Sequence, residues 1–393
     1  MITPVEALRR ILAGVQPRPS REIPLLEAVD QFAAEDLFAR IPVPPFDNSA
    51  MDGYAVVASS CAAGQHLRIV GEQPAGIDRG LSIRAGEALR IFTGAPLPRG
   101  ADAVIMQEDT TVEGSDLLPK TAPVAGEFVR RRGADVAEGQ KVLAEGDRIS
   151  VQRIALLASQ GLRSVSVGGE VSASLISTGD ELAEPGAALL PGQIYDSNSV
   201  FLEALLRKSG VHTVRLTHCA DNSDEIEAAL KAASASDLII LTGGVSVGAH
   251  DLVKAALSAI GATLDLWRIA VKPGKPFLFG HLGSAAIFGL PGNPVSAFVT
   301  FLLFVRPALL KMRGANESAR RLPEVSARLS EEIRNDGPRP HYIRGLLRDG
   351  TFESVGLQES HALFGLSRSN ALLLVGPDEV IAAGASVRVL TLG

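Results

Sequence analysis

The chain has 393 residues, of which 46% are hydrophobic, and its formal net charge is −6. This length is enough for several packed domains, and the acidic balance argues against a nucleic-acid-binding surface, which would need a dominant basic patch. The two cysteines, Cys61 and Cys219, lie far apart and outside any CxxC motif. That spacing excludes a disulfide framework and a thiolate metal site within one chain and favours a cytoplasmic setting.

The first helix is predicted from Thr3, because Pro4 follows it directly and Glu6 lies three residues further on. No apolar core follows the first residues, so a secretory signal is not expected. The apolar side chains of this segment are spaced to form one helix face: Val5, Leu8, Ile11, Leu12 and Val15. From Ile41 to about Asp135, short apolar runs alternate with turns rich in proline and glycine, which predicts a β-rich domain.

Strands and helices are predicted to alternate from Val171 onward, where runs such as VSASLI and DLIILT are separated by helical stretches. This order is typical of a doubly wound, mostly parallel sheet, in which ligands bind at the carboxyl ends of the strands. The apolar run Val295–Val305 is about half a bilayer span long and is predicted to be a buried core helix. After Leu322 the helices are expected to stop, and the strands predict a small β-barrel or sandwich.

Four polar loops follow apolar strands of the α/β region and are expected to share one sheet edge: STGDEL (177–182), CAD (219–221), TGGVSVGAHD (242–251) and GLPGNPVS (289–296). The third loop has neither the GxGxxG spacing nor the lysine of a P-loop. Its glycines suit a close approach to a phosphate or sugar, with Asp251 capping a helix or holding a cation. An ordinary βα turn with a capping aspartate is the simpler alternative.

Two segments are candidates for binding anions. In LPGNPVS, Asn293 is a natural N-cap and Pro294 a natural first helical residue, so free backbone N–H groups would face outward. In KPGKP, Lys272 and Lys275 flank a proline-glycine turn, and Arg268 lies on the preceding strand. A plain helix start and solvated lysines are the alternatives.

Carboxylates are frequent in or beside these loops, namely Asp180, Glu181, Asp196, Asp221 and Asp251. Mg²⁺ prefers such hard oxygen ligands and is commonly bound jointly with phosphate oxygens, although each carboxylate could instead cap a helix or stabilise a turn. The β-rich region adds FDNSAMDGYA (46–55) and RRRGAD (130–135), which ordinary turn and surface-loop chemistry also explains. Together the loops suit a polyanionic small molecule bridged by Mg²⁺.

The motifs FDNSAMDGYA, RIFTGAP, RRRGAD, STGDEL, GQIYDSNS, LTGGVSVGAHD, KPGKPFLFG and FGLPGNPVSA occur in this order. In that order they closely resemble the MoeA family, the molybdopterin molybdenumtransferases related to the E domains of gephyrin and of the plant molybdenum-insertion protein. The resemblance covers essentially the whole chain and implies an elongated homodimer of α/β multidomain subunits. The implied domains are a discontinuous, partly helical one (1–43 plus 140–170), a β-rich one (44–139), a doubly wound molybdopterin-binding α/β domain (171–318) and a C-terminal β-barrel (319–393).

The resemblance also implies the reaction, which is the Mg²⁺-dependent insertion of molybdate into adenylylated molybdopterin with release of AMP. The thiolate ligands of molybdenum would come from the pterin dithiolene and not from the protein. The residues implied as catalytic are Glu181, Asp221, Asp251 and Lys272, of which the three carboxylates are also the implied metal ligands. The residues implied as substrate-binding are Asp52, Thr93, Asp135, Arg268, Lys275, Pro291, Pro294 and Arg344.

In the implied dimer, the β-rich domain of one protomer reaches the α/β domain of its partner, so the active site would be shared. A molybdopterin adenylyltransferase and acceptor molybdoenzymes are expected partners, whereas nucleic acid and membrane are not. The chain departs from the family pattern at Arg268, where many relatives have lysine, and at Phe364 and Gly365, where two serines are frequent. A tungstate-handling paralogue, a non-catalytic molybdopterin-binding scaffold and an adenylyltransferase are the alternative functions.

Overall fold

The computed structural model of the protein describes residues 1–244 and 252–392, with only the backbone described at 266–267. The chain forms two compact units. The first comprises Met1–Glu35, Glu145–Val151 and the chain from Ser164 to the C-terminus, and the second comprises Asp36–Ala144 and Gln152–Arg163.

The α-helices are α1 (Pro4–Gly14), α2 (Val151–Ser159), α3 (Ser197–Lys208), α4 (Ser223–Ala233), α5 (Leu252–Ala259), α6 (Pro294–Thr300), α7 (Arg306–Met312), α8 (Glu317–Arg320) and α9 (Leu363–Ser367). Short 3₁₀ turns cover Leu25–Ala28, Ala58–Ser60 and Gln107–Asp109, and a π-helical turn, Phe301–Val305, joins α6 to α7.

The strands up to residue 167 are β1 (Arg21–Pro24), β2 (Leu37–Phe38), β3 (Asn48–Ser49), β4 (Gly53–Val56), β5 (Leu67–Gln73), β6 (Glu87–Ile91), β7 (Ala103–Met106), β8 (Thr110–Glu113), β9 (Asp116–Pro119), β10 (Val129–Arg130), β11 (Lys141–Leu143) and β12 (Ser164–Val167). The later strands are β13 (Ala173–Thr178), β14 (Leu182–Ala183), β15 (Ile194–Tyr195), β16 (Val214–Cys219), β17 (Leu238–Thr242), β18 (Thr263–Arg268), β19 (Pro276–Leu282), β20 (Ala285–Leu290), β21 (Glu324–Leu329), β22 (Ile333–Asn335), β23 (His341–Arg348), β24 (Thr351–Ser354), β25 (Ala371–Val375), β26 (Glu379–Ile381) and β27 (Ser386–Thr391).

Helix α1 begins where the sequence predicts, because the Thr3 hydroxyl accepts a 3.2 Å hydrogen bond from the backbone N–H of Glu6. Its buried face contains Ala7 and Ile11, and Val15 just beyond the helix is buried as well. Val5 was predicted on this face, but that prediction is wrong because Val5 is 81% exposed. Residues four apart lie on one side of a helix, whereas Val5 is two residues from Ala7 and points away.

The second unit is rich in β structure, as predicted. Its largest sheet has six strands in the order β7-β4-β6-β5-β9-β8, and its pairs are antiparallel except for β5 with β6. Residues from β4 such as Tyr54 and Val56 pack with Leu67 and Leu117 in its core. This sheet supports the loop that carries Asp52.

The first unit contains the predicted α/β sheet, with strands in the order β16-β13-β17-β20-β19-β18. Strands β16, β13, β17 and β20 are parallel, and β19 is antiparallel to both of its neighbours. Alternate residues of β17 enter two different cores: Leu238 and Ile240 pack on one face, and Ile239 and Leu241 pack on the other. Both faces are therefore covered, which explains why the strand is apolar along its whole length.

The apolar run near residue 300 forms a core helix, as predicted. The continuous helix Pro294–Met312 is long and apolar enough to cross a membrane, but 78% of its most apolar stretch is buried inside the protein. Val295, Phe301 and Val305 lie in the core on one face of the α/β sheet. The helix therefore has a packing partner along most of its length.

The C-terminal strands close into a five-stranded barrel, β21-β24-β23-β25-β27, and not into a sandwich. The prediction that helices stop after Leu322 is wrong, because α9 occupies 363–367. This helix has only five residues and contains Gly365, a composition that resembles a turn. Gly365 is needed for packing, since a Cβ there would lie 2.9 Å from the backbone oxygen of Val355.

Candidate active site

A cavity of about 600 Å³ lies at the carboxyl edge of the α/β sheet, where β13, β17 and β20 end. Parallel strands of an α/β sheet present their following loops at this edge, so the predicted clustering of polar loops is confirmed for the described ones. Among its lining residues are Thr178, Glu181, Asp196, Asn198, Asp221, Gly243, Pro291, Pro294, His361 and Leu363.

The cavity brings together two predicted metal-binding carboxylates, Glu181 and Asp221. The backbone N–H of Asp221 donates to Oδ1 of Asp180 at 3.1 Å, which joins the loops after β13 and β16. The pKa of the Asp221 carboxyl is raised, first by its partial desolvation between these loops and then by the negative charges of Asp180 and Glu181. The Thr178 side chain and the charge of His218 act in the opposite direction but only partly offset these effects.

The third predicted carboxylate, Asp251, lies outside the described residues, as do 245–250 of the same loop. Among the described residues, no group of three or more His, Cys, Asp or Glu side chains is arranged to hold a metal ion. Asp196 is a helix cap, because its carboxylate accepts from the backbone N–H of Ser199 at 3.0 Å and from the Ser199 hydroxyl at 2.5 Å. The helix cap that the sequence offers as an alternative for Asp196 is therefore present.

Gly243 shows why the third loop begins with glycines. Its φ is +89°, and a Cβ at this position would lie 2.3 Å from the backbone oxygen of Thr178. Only glycine allows β17 to turn so close to the end of β13. The glycine at position 243 is therefore required by the close packing of two neighbouring strand ends.

Asn198 is a cavity residue that the sequence reasoning missed. The side chain is 8% exposed, and its Nδ2 donates to Thr242 Oγ1 at 2.9 Å and to the Gly292 carbonyl at 2.7 Å. It therefore ties the end of β17 to the loop after β20. The GQIYDSNS motif places Asn198 near the start of a helix, but the sequence does not show that its amide is buried and therefore needs hydrogen-bond partners.

Helix α6 begins as predicted, with Asn293 at the N-cap position and Pro294 as its first residue. The Asn293 side chain does not cap the helix but donates to Ser360 Oγ at 2.9 Å. The backbone N–H of Val295 donates to the Ser360 carbonyl at 3.0 Å. One of the backbone donors predicted to be free for an anion is therefore occupied, whereas Pro291 and Pro294 do line the cavity.

The predicted lysines are not among the described residues that line this cavity. Lys272 lines a second cavity of about 600 Å³ with barrel residues that include His341 and Gln358. Backbone hydrogen bonds hold Lys272 beside the barrel. The Lys272 N–H donates to the Pro340 carbonyl, and the Lys272 carbonyl accepts from the Tyr342 N–H. Burial, the charge of Lys272 and other nearby cations lower the pKa of His341 to about 4, so this imidazole is neutral at pH 7. Lys275 and Arg268 are exposed.

Arg344 is 1% exposed, and its guanidinium makes its hydrogen bonds to backbone carbonyls. Nη1 donates to Ala362 at 2.9 Å, and Nη2 donates to Leu357 and, at 3.2 Å, to Glu359. We refer to residues 357–362 as the strap. The strap supplies the cavity residue His361, so Arg344 contacts the wall of the cavity and not its interior.

In the second unit, Asp52 and Thr93 contact each other. The backbone N–H and the hydroxyl of Thr93 both donate to Asp52 Oδ1 at 2.8 Å. These two bonds lower the pKa of the Asp52 carboxyl, with the backbone bond as the larger cause. Asp135 is exposed, and its backbone N–H donates to the Val43 carbonyl at 3.0 Å.

A mostly parallel sheet with polar loops, glycines and a helix start around one edge cavity is typical of α/β proteins that bind a small ligand at the carboxyl ends of their strands. Comparison with known proteins identifies the family. Three family models match: "MoeA N-terminal region (domain I and II)" over residues 2–161, "Probable molybdopterin binding domain" over 174–311 and "MoeA C-terminal region (domain IV)" over 326–392.

Relatives match along nearly the whole chain. A protein of Haemophilus influenzae named molybdopterin molybdenumtransferase is 38% identical, with 99% of this chain and 98% of the relative covered. A protein of the same name from a Nostoc species is 36% identical over 93% of this chain and 88% of the relative. The crystal structure of the molybdopterin biosynthesis moeA protein from Pyrococcus horikoshii OT3 is 30% identical, covers both chains fully and has a TM-score of 0.86. The chain belongs to the MoeA family, an enzyme family of molybdenum cofactor biosynthesis.

Proposed function

We propose that this chain inserts molybdate into adenylylated molybdopterin and releases AMP in a Mg²⁺-dependent reaction. The observation that carries the proposal is the edge cavity lined jointly by Glu181, Asp221 and the prolines of the 291–294 loop. Its place at the carboxyl ends of parallel strands is where α/β sheets bind phosphate-bearing ligands. The relatives named molybdopterin molybdenumtransferase support the same reaction.

Mg²⁺ suits the charge of this cavity. The pKa of Asp221 is raised partly by neighbouring carboxylates, and a divalent cation would offset that repulsion. Protein sites often hold Mg²⁺ through one or two carboxylates together with substrate phosphate oxygens, so Glu181 and Asp221 are sufficient protein ligands. When bound, the ion would neutralise negative charge on the phosphate oxygens.

The protein groups around the cavity would bind and orient the substrate. Asn198 holds the ends of two strands together, and the strap closes one side. Molybdate, as a substrate, is expected near Pro291 and Pro294, and its metal would be bound by the dithiolene sulfurs of the pterin. The proposed roles of Lys272, Lys275 and Arg268 rest on family membership.

The test is AMP release from the purified protein given adenylylated molybdopterin, Mg²⁺ and either molybdate or tungstate. The product is then used to activate an apo-molybdoenzyme. Glu181→Gln should lower the rate about a hundredfold, since loss of a group that stabilises developing charge typically has such an effect. Glu353→Gln, an exposed carboxylate change on β24, is the matched control.

Each result of this assay has a defined meaning. Full AMP release by Glu181→Gln would count against the metal site. Release with tungstate alone would identify a tungstate-handling paralogue. No release with either anion, from protein that is folded, would favour a non-catalytic scaffold.

We also infer that the chain acts as a homodimer whose active site is shared between protomers. Family membership supports this inference. Asp52→Ala and Glu181→Gln proteins would each release AMP far more slowly than the wild type, and a refolded mixture of the two would regain activity if each site combines residues of both protomers. A mixture that stays inactive although heterodimers form would contradict a shared site.

A further inference from the structure

The edge cavity carries more negative than positive charge. Its described lining includes the carboxylates Glu181, Asp196 and Asp221, which repel phosphate oxygens unless cations or hydrogen-bond donors offset them. The predicted cation Lys272 lines the other cavity. Within the part of the chain that the structure describes, His361 is the one basic side chain that lines the edge cavity.

The backbone around His361 is fixed on both sides. Arg344 donates to the carbonyl of Glu359 at 3.2 Å and to that of Ala362 at 2.9 Å. Ser360 lies between them, and its carbonyl accepts from the Val295 N–H at 3.0 Å. The strap thus attaches to the barrel through Arg344 and to the start of α6 through Ser360.

Among the described residues, the backbone near His361 is hydrogen-bonded, whereas its imidazole is not. It is exposed, and it makes no hydrogen bond or ion pair with any residue that the structure describes. Because the backbone is already fixed, only the side-chain torsions of His361 have to be ordered when a ligand binds.

We propose that His361 is a substrate-contacting residue that donates a hydrogen bond from its ring to a phosphate group of the ligand. This inference rests on the proposed function, which supplies a phosphate-bearing substrate. A ring N–H is a good donor to phosphate oxygens, and the bond is stronger when the imidazole is charged. His361 would then supply a hydrogen-bond donor to the phosphate, which the ionised carboxylates that line the cavity cannot do because they only accept hydrogen bonds.

The test compares AMP with adenosine, two ligands that differ by the phosphate. Their dissociation constants are measured by isothermal titration calorimetry with Mg²⁺ for the full-length wild type, His361→Ala and His361→Arg. His361→Ala should weaken AMP binding about tenfold, as expected for loss of a hydrogen bond to a charged group, and change adenosine binding less than about twofold. His361→Arg should restore most of the AMP affinity because the guanidinium supplies N–H donors to the phosphate.

Control variants separate binding from folding. His212→Ala removes an exposed histidine that does not line the cavity and should leave both constants unchanged. If His361→Ala does not fold, His361→Phe, which keeps a ring but has no N–H donor, replaces it, and its ratio of AMP to adenosine affinity should fall below that of the wild type.

The outcomes distinguish this inference from the proposed function. Equal losses for AMP and adenosine, or no recovery in His361→Arg, would assign His361 a structural role and overturn the inference. Unchanged AMP binding by His361→Ala, in a protein whose wild type releases AMP from the substrate, would overturn it while the proposed function stands. A wild type that binds neither ligand and releases no AMP would overturn both.

Discussion

The backbone N–H of Asp221 donates a 3.1 Å hydrogen bond to the carboxylate of Asp180. These residues follow neighbouring parallel strands, β16 and β13, so the bond fixes the loops that carry the predicted metal-binding carboxylates. The same contact places two negative side chains near each other, and this repulsion is one reason why the pKa of Asp221 is raised.

We predict that Asp221→Asn raises the melting temperature of the metal-free protein at pH 7. A carboxyl whose pKa is higher in the folded than in the unfolded state destabilises the fold when it is ionised, and this effect disappears below the unfolded-state pKa. The gain should therefore shrink as the pH falls towards about 4, the ordinary aspartate range. Thermal unfolding of both proteins from pH 7 to pH 3.5 measures the difference.

Mg²⁺ provides the control for this prediction. Adding Mg²⁺ should raise the melting temperature of the wild type, because a ligand that binds only the folded state stabilises it, and should have less effect on Asp221→Asn. Glu353→Gln should respond to Mg²⁺ like the wild type. An Asp221→Asn protein that is less stable at pH 7 would show that the carboxylate has a favourable partner.

The Asp52 carboxyl is predicted to titrate below the usual aspartate range, because Thr93 donates two hydrogen bonds to its ionised form. Thr93→Val removes the hydroxyl but keeps the backbone N–H, so the pKa of Asp52 should rise only part of the way to the ordinary value. Thr93→Ser should leave it nearly unchanged. Carbon-detected NMR titration of the Asp52 side chain distinguishes these cases, and an equal pKa in wild type and Thr93→Val would show that the hydroxyl bond is not formed in solution.

The sequence predicted the sheet, the core helix and the edge cavity because each depends on local patterns. Strand β17 is apolar throughout because both of its faces are buried, and Pro294 marks a helix start by its own backbone geometry. These features can be recognised without knowing which residues meet in space.

The missed features depend on contacts distant in the chain. Asn198 bonds to Thr242 and Gly292, which are 44 and 94 residues away. Asn293 has the sequence position of a cap, but Ser360, 67 residues further on, competes successfully for its side chain. Neither pairing leaves a periodic or spacing signal in the sequence, so local patterns do not identify these partners.

Alanine substitutions at Gly243 and Gly192 test how closely the loop after β17 packs against the end of β13. Both have φ of +89°, but a Cβ would lie 2.3 Å from the Thr178 carbonyl oxygen at Gly243 and would meet open space at Gly192. Gly192→Ala should cost about 1 kcal/mol from backbone strain alone, whereas Gly243→Ala should cost about 3 kcal/mol because the loop must also move. Urea denaturation measures both, and equal losses would mean that the close approach does not exist in solution.

Two roles can be distinguished for Arg344: direct binding of the substrate, or support of the strap that lines the cavity. The resemblance to the MoeA family implies a substrate-binding arginine, whereas the guanidinium is buried and bonded to strap carbonyls. We predict that Arg344→Met lowers the free energy of unfolding by about 3 kcal/mol, since these carbonyls lose their partner. Arg344→Lys should be intermediate because one ammonium cannot replace the planar, five-donor guanidinium.

Hydrogen exchange at the Val295 amide completes this test, because that N–H is bonded to the Ser360 carbonyl within the strap. If Arg344 acts through the strap, Arg344→Met should exchange faster at Val295 and lose AMP release together, whereas the exposed control Arg334→Lys should change neither. Loss of AMP release with full protection at Val295 and unchanged stability would instead mean that the guanidinium leaves the strap to bind substrate. The buried position would then describe only the state without ligand, and the strap would have to open during the reaction.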